Sequence, residues 1–186
     1  MALNHDYRLA KNAEERILAK AGIPRRFWNV KPDDLEFLQT DYYGVKLSGQ
    51  GQRQWLRSLL SNKSGRIDRR LIVAGSDPTD EGSLALGCVI VRHFLQPGRP
   101  VAIADVQFDI PLLDPFPHVL LLHNVMSGYR VDQLQETRNA LRRFGGCLRI
   151  LAIAGERNPF RFCIVKLGLE PDTVFVIKHI PSRDGR

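Results

Sequence analysis

The sequence has few cysteines, and they are not spaced as metal ligands or disulfide partners usually are. Cys88, Cys147 and Cys163 stand far apart, each among apolar residues. Zinc sites and disulfide-stapled folds usually show paired spacings such as C-x-x-C. We therefore predict that the three thiols are buried as small hydrophobic side chains and that the chain holds no metal ion.

A long hydrophobic run is also missing. The longest apolar runs, such as VLLLHNV, are far shorter than the roughly 18 residues that span a bilayer. The N-terminus, MALNHDYRLAKNAEER, lacks the apolar core of a signal peptide. These absences predict a cytoplasmic protein without a membrane partner.

Length and hydrophobic content indicate a single domain. The chain has 186 residues, of which 44% are hydrophobic, which is enough for one well-buried core and too little for two ordinary domains. We expect a leader over residues 1–30, a core over residues 31–180 and a disordered tail over residues 181–186.

Basic residues are in excess, with a net charge of +7 and a pI of about 9.7. A basic surface attracts phosphate backbones or acidic protein partners. Ordinary solvated faces explain the same clusters, and no interleaving of aromatic and basic residues of the RNA-recognition kind is visible. The arginines that are candidates for contacts with nucleic acid or a partner are Arg25, Arg26, Arg66, Arg69, Arg70, Arg142, Arg143, Arg157 and Arg161.

Hydrophobic periodicity predicts an α/β fold. Apolar runs that are continuous rather than alternating indicate strands buried on both faces, as in a parallel sheet covered by helices. Together the runs predict an open three-layer α/β/α fold with a mostly parallel five-stranded sheet. The predicted strands are 71–76, 101–106, 118–125, 148–155 and 173–180, and the predicted helices are 6–20, 49–65, 83–95 and 130–144. Residues 32–46 are expected to be irregular.

The stretch GSDPTDEGSLA, residues 75–85, stands where a nucleotide-binding protein would carry its phosphate loop. Such a loop uses glycine-rich backbone N–H groups, a Lys that neutralises the phosphates and a Ser or Thr that ligates Mg²⁺. Here Asp77, Asp80 and Glu81 occupy the loop, and it contains no lysine.

The leader AGIPRRFW, followed by a strand, this loop and SLALGCVIVRHFL, resembles the DnaC/IstB-like group of helicase loaders and transposition ATPases. The resemblance covers residues 14–180 and implies a P-loop NTPase-like sheet of the AAA+ type. Members of the group read GNPGTGKTHLA in the loop, and GSDPTDEGSLA aligns with it without a gap. Gly75 and the Leu84–Ala85 continuation match.

The resemblance implies a nucleotide site that has degenerated. Glu81 stands at the lysine position, Gly82 at the threonine position, and Pro78 and Asp80 replace glycines of the cradle. Two like unit charges 4 Å apart repel by about 4 kcal/mol at an effective dielectric near 20, so ATP would meet repulsion there. Ser83 is a possible shifted hydroxyl ligand, but no neighbouring lysine accompanies it.

Two other strand ends have lost the polar residues of the group. His123 and Asn124 follow the third strand, where a Walker-B strand ends in metal-holding acids. Ala154 and Gly155 end the fourth strand, where members carry a polar sensor residue. The expectation is therefore a chain without cofactor and without ATPase activity.

With these losses, the resemblance implies a non-catalytic pseudo-ATPase, plausibly viral or from a mobile element, that acts in DNA replication or transposition. Its expected partners are DNA, a helicase, a transposase or an ATPase-competent homologue, with homo-oligomer formation through a face near Arg142 and Arg143. The helical lid that often follows such cores is not expected after the fifth strand. The double substitution of Lys for Glu81 and Thr for Gly82 is expected to leave folding almost intact and to produce no ATPase activity.

Several alternatives stay open on the residues alone. The chain is also compatible with another α/β protein, with a protein scaffold that does not bind nucleic acid, and with a nucleotide hydrolase that uses a rearranged loop. Asp105, Asp109 and Asp114 suggest a metal-dependent nuclease, although their stretch reads as a proline-rich connection. No G-x-S-x-G elbow frames any serine, which argues against a serine hydrolase.

Overall fold

The computed structural model describes residues 12–61, 69–77, 79, 81–95, 99–106, 117–126, 128 and 130–178, with the side chain of Asp77 excepted. Two short 3₁₀ turns, Arg25–Phe27 and Pro32–Asp34, lie in the leader region, and a π-helical turn, Cys163–Leu167, continues the last helix. The helices and strands are α1 (Ala13–Lys20), β1 (Thr40–Tyr42), β2 (Val45–Leu47), α2 (Gly49–Ser61), β3 (Leu71–Asp77), α3 (Glu81–Phe94), β4 (Val101–Asp105), β5 (Val119–Met126), α4 (Val131–Arg143), β6 (Leu148–Ala154), α5 (Pro159–Phe162) and β7 (Thr173–Lys178).

The centre of the molecule is a five-stranded sheet in the order β4-β5-β6-β3-β7, and all of its pairings are parallel. β3 lies in the interior of the sheet, with Gly75 opposite Ile153 of β6 and Val176 of β7. The five predicted strands are confirmed, and their described ends differ from the prediction by one residue at most. Residues 179–180 of the last prediction lie outside the described residues.

Helices cover both faces of this sheet, which confirms the three-layer α/β/α prediction. On β3, Ile72 and Ala74 face one hydrophobic cluster, and Leu71 and Val73 face the other. The first cluster contains the buried sides of α1, α2 and α3, and the second contains those of α4 and α5. Because both faces are buried, the strands read as continuous apolar runs.

The leader packs against α3 and one face of the sheet. Asn12 caps the N-terminus of helix α1, and its side chain accepts a hydrogen bond from the N–H of Glu15 at 2.9 Å. It ends before Gly22, whose positive φ of 80° stops the helix. The indole N–H of Trp28 then donates to the carbonyl of Ile23 at 2.7 Å. Residues 6–11 of the predicted leader helix lie outside the described residues.

The expectation of irregular structure over residues 32–46 is wrong for its second half. β1 and β2 form an antiparallel hairpin whose turn is Tyr43–Gly44, with φ values of 52° and 76°. The residues before it cover the outer edge of β7, because Leu38 N–H donates to the carbonyl of Val176 at 2.8 Å. Strands of three residues are too short to show a sequence period.

Two further findings bear on the sequence expectations. Cys88, Cys147 and Cys163 are all buried and free, as predicted. Within the part of the chain that the structure describes, none of the helices has the length and hydropathy needed to cross a bilayer. Helix α5 and its π-helical continuation are additional elements that the periodicity did not predict, because a run of nine residues covers too few turns.

Candidate functional site

The loop between β3 and α3 lies at the carboxyl edge of the parallel sheet, where open α/β folds bind ligands. Ser76, near the end of β3, and Ser83, in the first turn of α3, are fully buried and turn toward each other. The Ser76 hydroxyl donates to the carbonyl of Thr79, and the hydroxyl oxygens of Ser76 and Ser83 are 3.1 Å apart. Ser83 also lies 3.5 Å from the carbonyl oxygen of Ile153. These contacts join the two ends of the loop, and they use the Ser83 hydroxyl for packing inside the protein.

The two glycines that bracket the loop allow close approach of neighbouring backbone. A Cβ atom at Gly75 would lie 2.1 Å from the carbonyl oxygen of Glu156. A Cβ atom at Gly82 would lie 3.1 Å from the side chain of Ile177 and from the carbonyl oxygen of Lys178. The premise that Gly82 is an exposed loop position is wrong, because Gly82 is buried in the first turn of α3 against β7; the folding of the double substitution stays a prediction.

Glu81, at the position that resembles the phosphate-binding lysine, opens helix α3 and pairs with the leader. Its Oε1 lies 3.9 Å from Nε of Arg26, and the two side chains are 27% and 48% exposed. A carboxylate in the first helical turn also stabilises the positive end of the helix dipole. An exposed ion pair of this length contributes about 0–1 kcal/mol. The side chain of Asp77, together with Pro78 and Asp80, lies outside the described residues.

The end of β5 is a bulge that holds a polar pair. The β5–β6 register shifts between Leu122 and Val125, and Asn124 adopts a left-handed φ of 62°. Its Nδ2 donates to Oδ2 of Asp105, at the end of β4, across 3.1 Å. His123 carries the adjacent carbonyl, which accepts from the N–H of Val106 at 3.2 Å.

The bulge thus pairs the end of β5, which has no acid of its own, with one carboxylate from the neighbouring strand β4. Since β6 lies between β5 and β3, the strand that carries Asn124 is roughly 10 Å from β3 at about 4.8 Å per strand spacing, and β4, which carries Asp105, is one spacing farther. Among the described residues, no group of three or more His, Cys, Asp or Glu side chains could hold a metal ion. Asp109 and Asp114 of the nuclease alternative lie outside the described residues.

The end of β6 joins the loop. Ala154 closes the strand, Gly155 takes a left-handed φ of 66°, and the N–H of Glu156 donates to the carbonyl of Ser76 at 3.0 Å. The Glu156 carboxylate then accepts from the N–H of Asn158 at 2.7 Å. Ala154 and Gly155 stand where members of the DnaC/IstB-like group carry a polar sensor residue. In this chain they direct the backbone from the end of β6 across β3.

The candidate arginines fall at opposite ends of the sheet. Arg26 and Arg25 lie beside the start of α3, and Arg157 and Arg161 follow β6, so these four belong to the carboxyl end. The other described candidates lie at the amino end of the sheet. Arg69 and Arg70 precede β3, and Arg142 and Arg143 end α4, just before β6 begins. Arg66 lies outside the described residues. The sequence clusters therefore do not form one surface.

Four aromatic rings meet at the outer edge of β7, a feature that the sequence pattern did not predict. We call Tyr42, Tyr43, Trp55 and Phe160 the aromatic patch. The centroid of the Tyr42 ring lies 4.8 Å from that of Tyr43, 5.2 Å from that of Trp55 and 5.2 Å from that of Phe160. The ring centroids of Tyr43 and Phe160 are 4.6 Å apart. The Thr40 hydroxyl donates to the carbonyl of Arg157 at 3.1 Å, which ties the hairpin to the segment that carries Phe160. The only sequence signals were the YYG turn and the run NPFRF, more than a hundred residues apart.

Comparisons of this chain with protein-family models, with curated proteins and with solved structures found no match.

Proposed function

We propose that this chain is a non-catalytic, P-loop-ATPase-like domain of the helicase-loader type, which acts in DNA replication or transposition by binding DNA and protein partners. The observation that carries the proposal is the set of residues around the loop after β3 and the contacts that they make inside the protein. Glu81 takes the place of the phosphate-binding lysine, and its carboxylate pairs with Arg26. Ser83 is buried against Ser76, and Gly82 packs on Ile177.

These contacts oppose nucleotide binding in two ways. A carboxylate at the loop repels phosphate oxygens, and the contacts within the loop would have to break before its N–H groups could surround a phosphate. The end of β5 offers Asn124 hydrogen-bonded to a single carboxylate, Asp105, rather than a pair of acids on one strand. Positioning and charge neutralisation, on which phosphoryl transfer depends, are both incomplete.

The strand order supports the P-loop part of the proposal. Counted along the chain, the five strands of the large sheet stand in the order 5-1-4-3-2, with the loop after the first strand in the sheet interior. A loop at this place lies at the carboxyl edge of the sheet, where open α/β folds bind ligands. Fold alone does not establish function, so the nucleotide and DNA parts each need their own test.

Calorimetry with ATP and Mg²⁺ tests the loss of nucleotide binding. We expect no measurable binding to the wild-type protein, and micromolar affinity would overturn the proposal in favour of a hydrolase with a rearranged loop. The single substitution Glu81→Lys is a sharper probe, because it restores the cation without disturbing Gly82. We expect Glu81→Lys to release no phosphate from ATP; brisk turnover would show that the rest of the site is competent.

Salt-dependent binding to labelled single- and double-stranded oligonucleotides tests the DNA part. A protein that contacts phosphates loses affinity steeply as salt rises, with a log–log slope of about −0.7 per phosphate on single strands and −0.9 on duplex DNA. We expect such a slope for at least one of the two probes. Absence of binding at low salt would replace the DNA role by that of a protein scaffold.

A further inference from the structure

The aromatic patch exposes a large ring that folding does not explain. Tyr43 occupies the first position of the hairpin turn with a φ of 52°, and its side chain is among the exposed large hydrophobics, with a residue exposure of 56%. The left-handed conformation is unfavourable for bulky residues, and turns of this kind prefer Asn, Asp or Gly. Stability of the hairpin would therefore favour a small polar residue at this position.

The patch holds this ring in a defined orientation. Tyr43 contacts both Tyr42 and Phe160, and the Tyr42 hydroxyl donates to the carbonyl of Asp172 at 3.2 Å. Thr40 anchors the same hairpin to the carbonyl of Arg157. A ring that is ordered before binding loses little conformational freedom when a ligand packs on it.

Exposed basic residues lie close to Phe160 along the chain. Arg157 and Arg161 are exposed and flank Phe160 along the chain, and Lys166 follows on the next exposed turn. From residue 157 to residue 169 the sequence RNPFRFCIVKLGL contains no acid. The hairpin thus adds the ring of Tyr43 to a segment in which Phe160 lies between two arginines.

One acid, Glu156, stands next to Arg157 and accepts from the N–H of Asn158 at 2.7 Å, and the other nearby acids lie toward Tyr42 or on the far face of the hairpin. Burial, followed by the carboxylates of Asp172 and Glu170, raises the pKa of Tyr42, which places these acids toward the Tyr42 hydroxyl. Asp41 stands opposite Lys46 in the hairpin register, on the face of the ladder away from Tyr42. The side formed by Tyr43 and Phe160 therefore carries two arginines, Arg157 and Arg161, against one acid, Glu156, and is net positive.

We propose that Tyr43 and Phe160 form a stacking site for bases of single-stranded DNA, and that Arg157 and Arg161 bind the adjoining phosphates. Surfaces that bind single strands without sequence preference combine aromatic rings, on which bases stack, with a cationic track for the backbone. This inference rests on the proposed DNA role and assigns it to the β7 edge of the sheet. Base stacking on one ring changes affinity by about 5- to 150-fold when the ring is removed.

At the hairpin turn, the loss of the ring contacts of Tyr43 is offset by a residue that suits the left-handed backbone. Tyr43→Asn creates an Asn-Gly turn, the pairing that two-residue hairpins favour, and Tyr43→Phe keeps the ring. The probe is a fluorescein-labelled oligothymidylate of about 15 nucleotides, followed by anisotropy at low salt. We expect Tyr43→Asn to weaken binding at least about 5-fold and Tyr43→Phe to leave it within about 2-fold of wild type. Equal affinity of Tyr43→Asn and wild type, or equal losses in both variants, would overturn the stacking site.

The arginines are tested through the salt slope. Arg157→Gln combined with Arg161→Gln is expected to reduce the magnitude of the log–log slope by about 1.4, which is about 0.7 for each phosphate that is no longer neutralised. Arg142→Gln combined with Arg143→Gln removes the same charge at the opposite end of the sheet and should leave the slope unchanged. The reverse pattern would overturn this site while leaving a DNA role intact. No binding by the wild-type protein would instead remove the proposed DNA role itself.

Discussion

At the scale of single residues, the glycines of the loop carry the clearest lesson. Gly75 matches the first glycine of a phosphate loop in the sequence, yet its lack of a side chain is needed where the Gly155–Glu156 segment crosses β3. Gly82 serves the packing of α3 on β7. A glycine at a motif position can therefore be required by close approach of backbone, whether or not a ligand binds.

The first prediction concerns Gly75. Gly75→Ala places a Cβ atom 2.1 Å from the Glu156 carbonyl oxygen, so either β3 or the crossing segment must shift. We expect a loss of about 3 kcal/mol in the free energy of unfolding, as for overpacked cores. Gly146→Ala is the control, because its Cβ would meet no atom within 4 Å. Urea titration of both variants gives the comparison, and similar midpoints would contradict the crowding argument.

The second prediction concerns the buried thiols. Burial raises the pKa of Cys88 to about 12; burial, assisted by the Glu156 carboxylate, does the same for Cys163. A raised pKa keeps both thiols protonated through neutral and mildly alkaline pH, where an ordinary thiol with a pKa of about 8.5 has begun to ionise. We expect neither residue to react with N-ethylmaleimide at a pH of about 8 until urea unfolds the chain. Peptide mass spectrometry measures this, and rapid labelling of the native protein would contradict it.

At the scale of elements, a single buried side chain joins α2 to the edge of the sheet. The Gln52 side chain accepts from the N–H of Val176 at 2.7 Å and donates to the carbonyls of Leu38 and Leu47 at 2.5 and 3.4 Å. It thus connects the helix, the hairpin region and β7. The amphipathic pattern of α2 predicted the helix but gave no reason for a glutamine on its buried side.

Gln52→Met tests this connection. Methionine fills a similar volume but leaves the N–H of Val176 and the two carbonyls without that partner. A buried polar group that loses its partner costs about 1–3 kcal/mol, so we expect a loss of at least about 2 kcal/mol in the free energy of unfolding. Gln54→Met, at an exposed position of the same helix, should change stability by less than about 0.5 kcal/mol. Equal effects of the two substitutions in thermal or urea unfolding would count against the connection.

At the scale of the whole molecule, the leader belongs to the packed structure. The guanidinium of Arg92 on α3 donates to the carbonyls of Trp28 and Val30, and Phe27 and Trp28 are buried in the cluster around α3. The leader therefore helps to cover one face of the sheet and carries Arg26 to Glu81.

Arg92→Met is the corresponding test. It keeps the apolar stem of the side chain and removes both hydrogen bonds to the leader. Amides of the leader, such as those of Phe27 and Trp28, should then exchange hydrogen faster, while sheet amides such as Val73 keep their protection. Arg57→Met is the control, since its ion pair with Asp33 at 3.6 Å is exposed. Uniform acceleration across the sheet would show that Arg92 stabilises the whole core rather than the attachment of the leader.

The sequence by itself determined the sheet and its layers. Runs such as LIVAG and LRILAIA are apolar at consecutive positions, and only a strand covered on both faces buries every side chain of such a run. The composition of the loop was likewise evident from the sequence, which has Glu81 and no lysine in residues 75–85. Burial of the cysteines followed from their apolar neighbours.

Only the tertiary structure decided which polar and aromatic groups share a site. Asp105 meets Asn124 because parallel strands end side by side, and Tyr43 meets Phe160 because the hairpin folds along the outer edge of β7. It also divided the arginine clusters between opposite ends of the sheet. Periodicity reports the faces of one element at a time, whereas these contacts depend on strand order and crossover, which bring together residues distant in the chain.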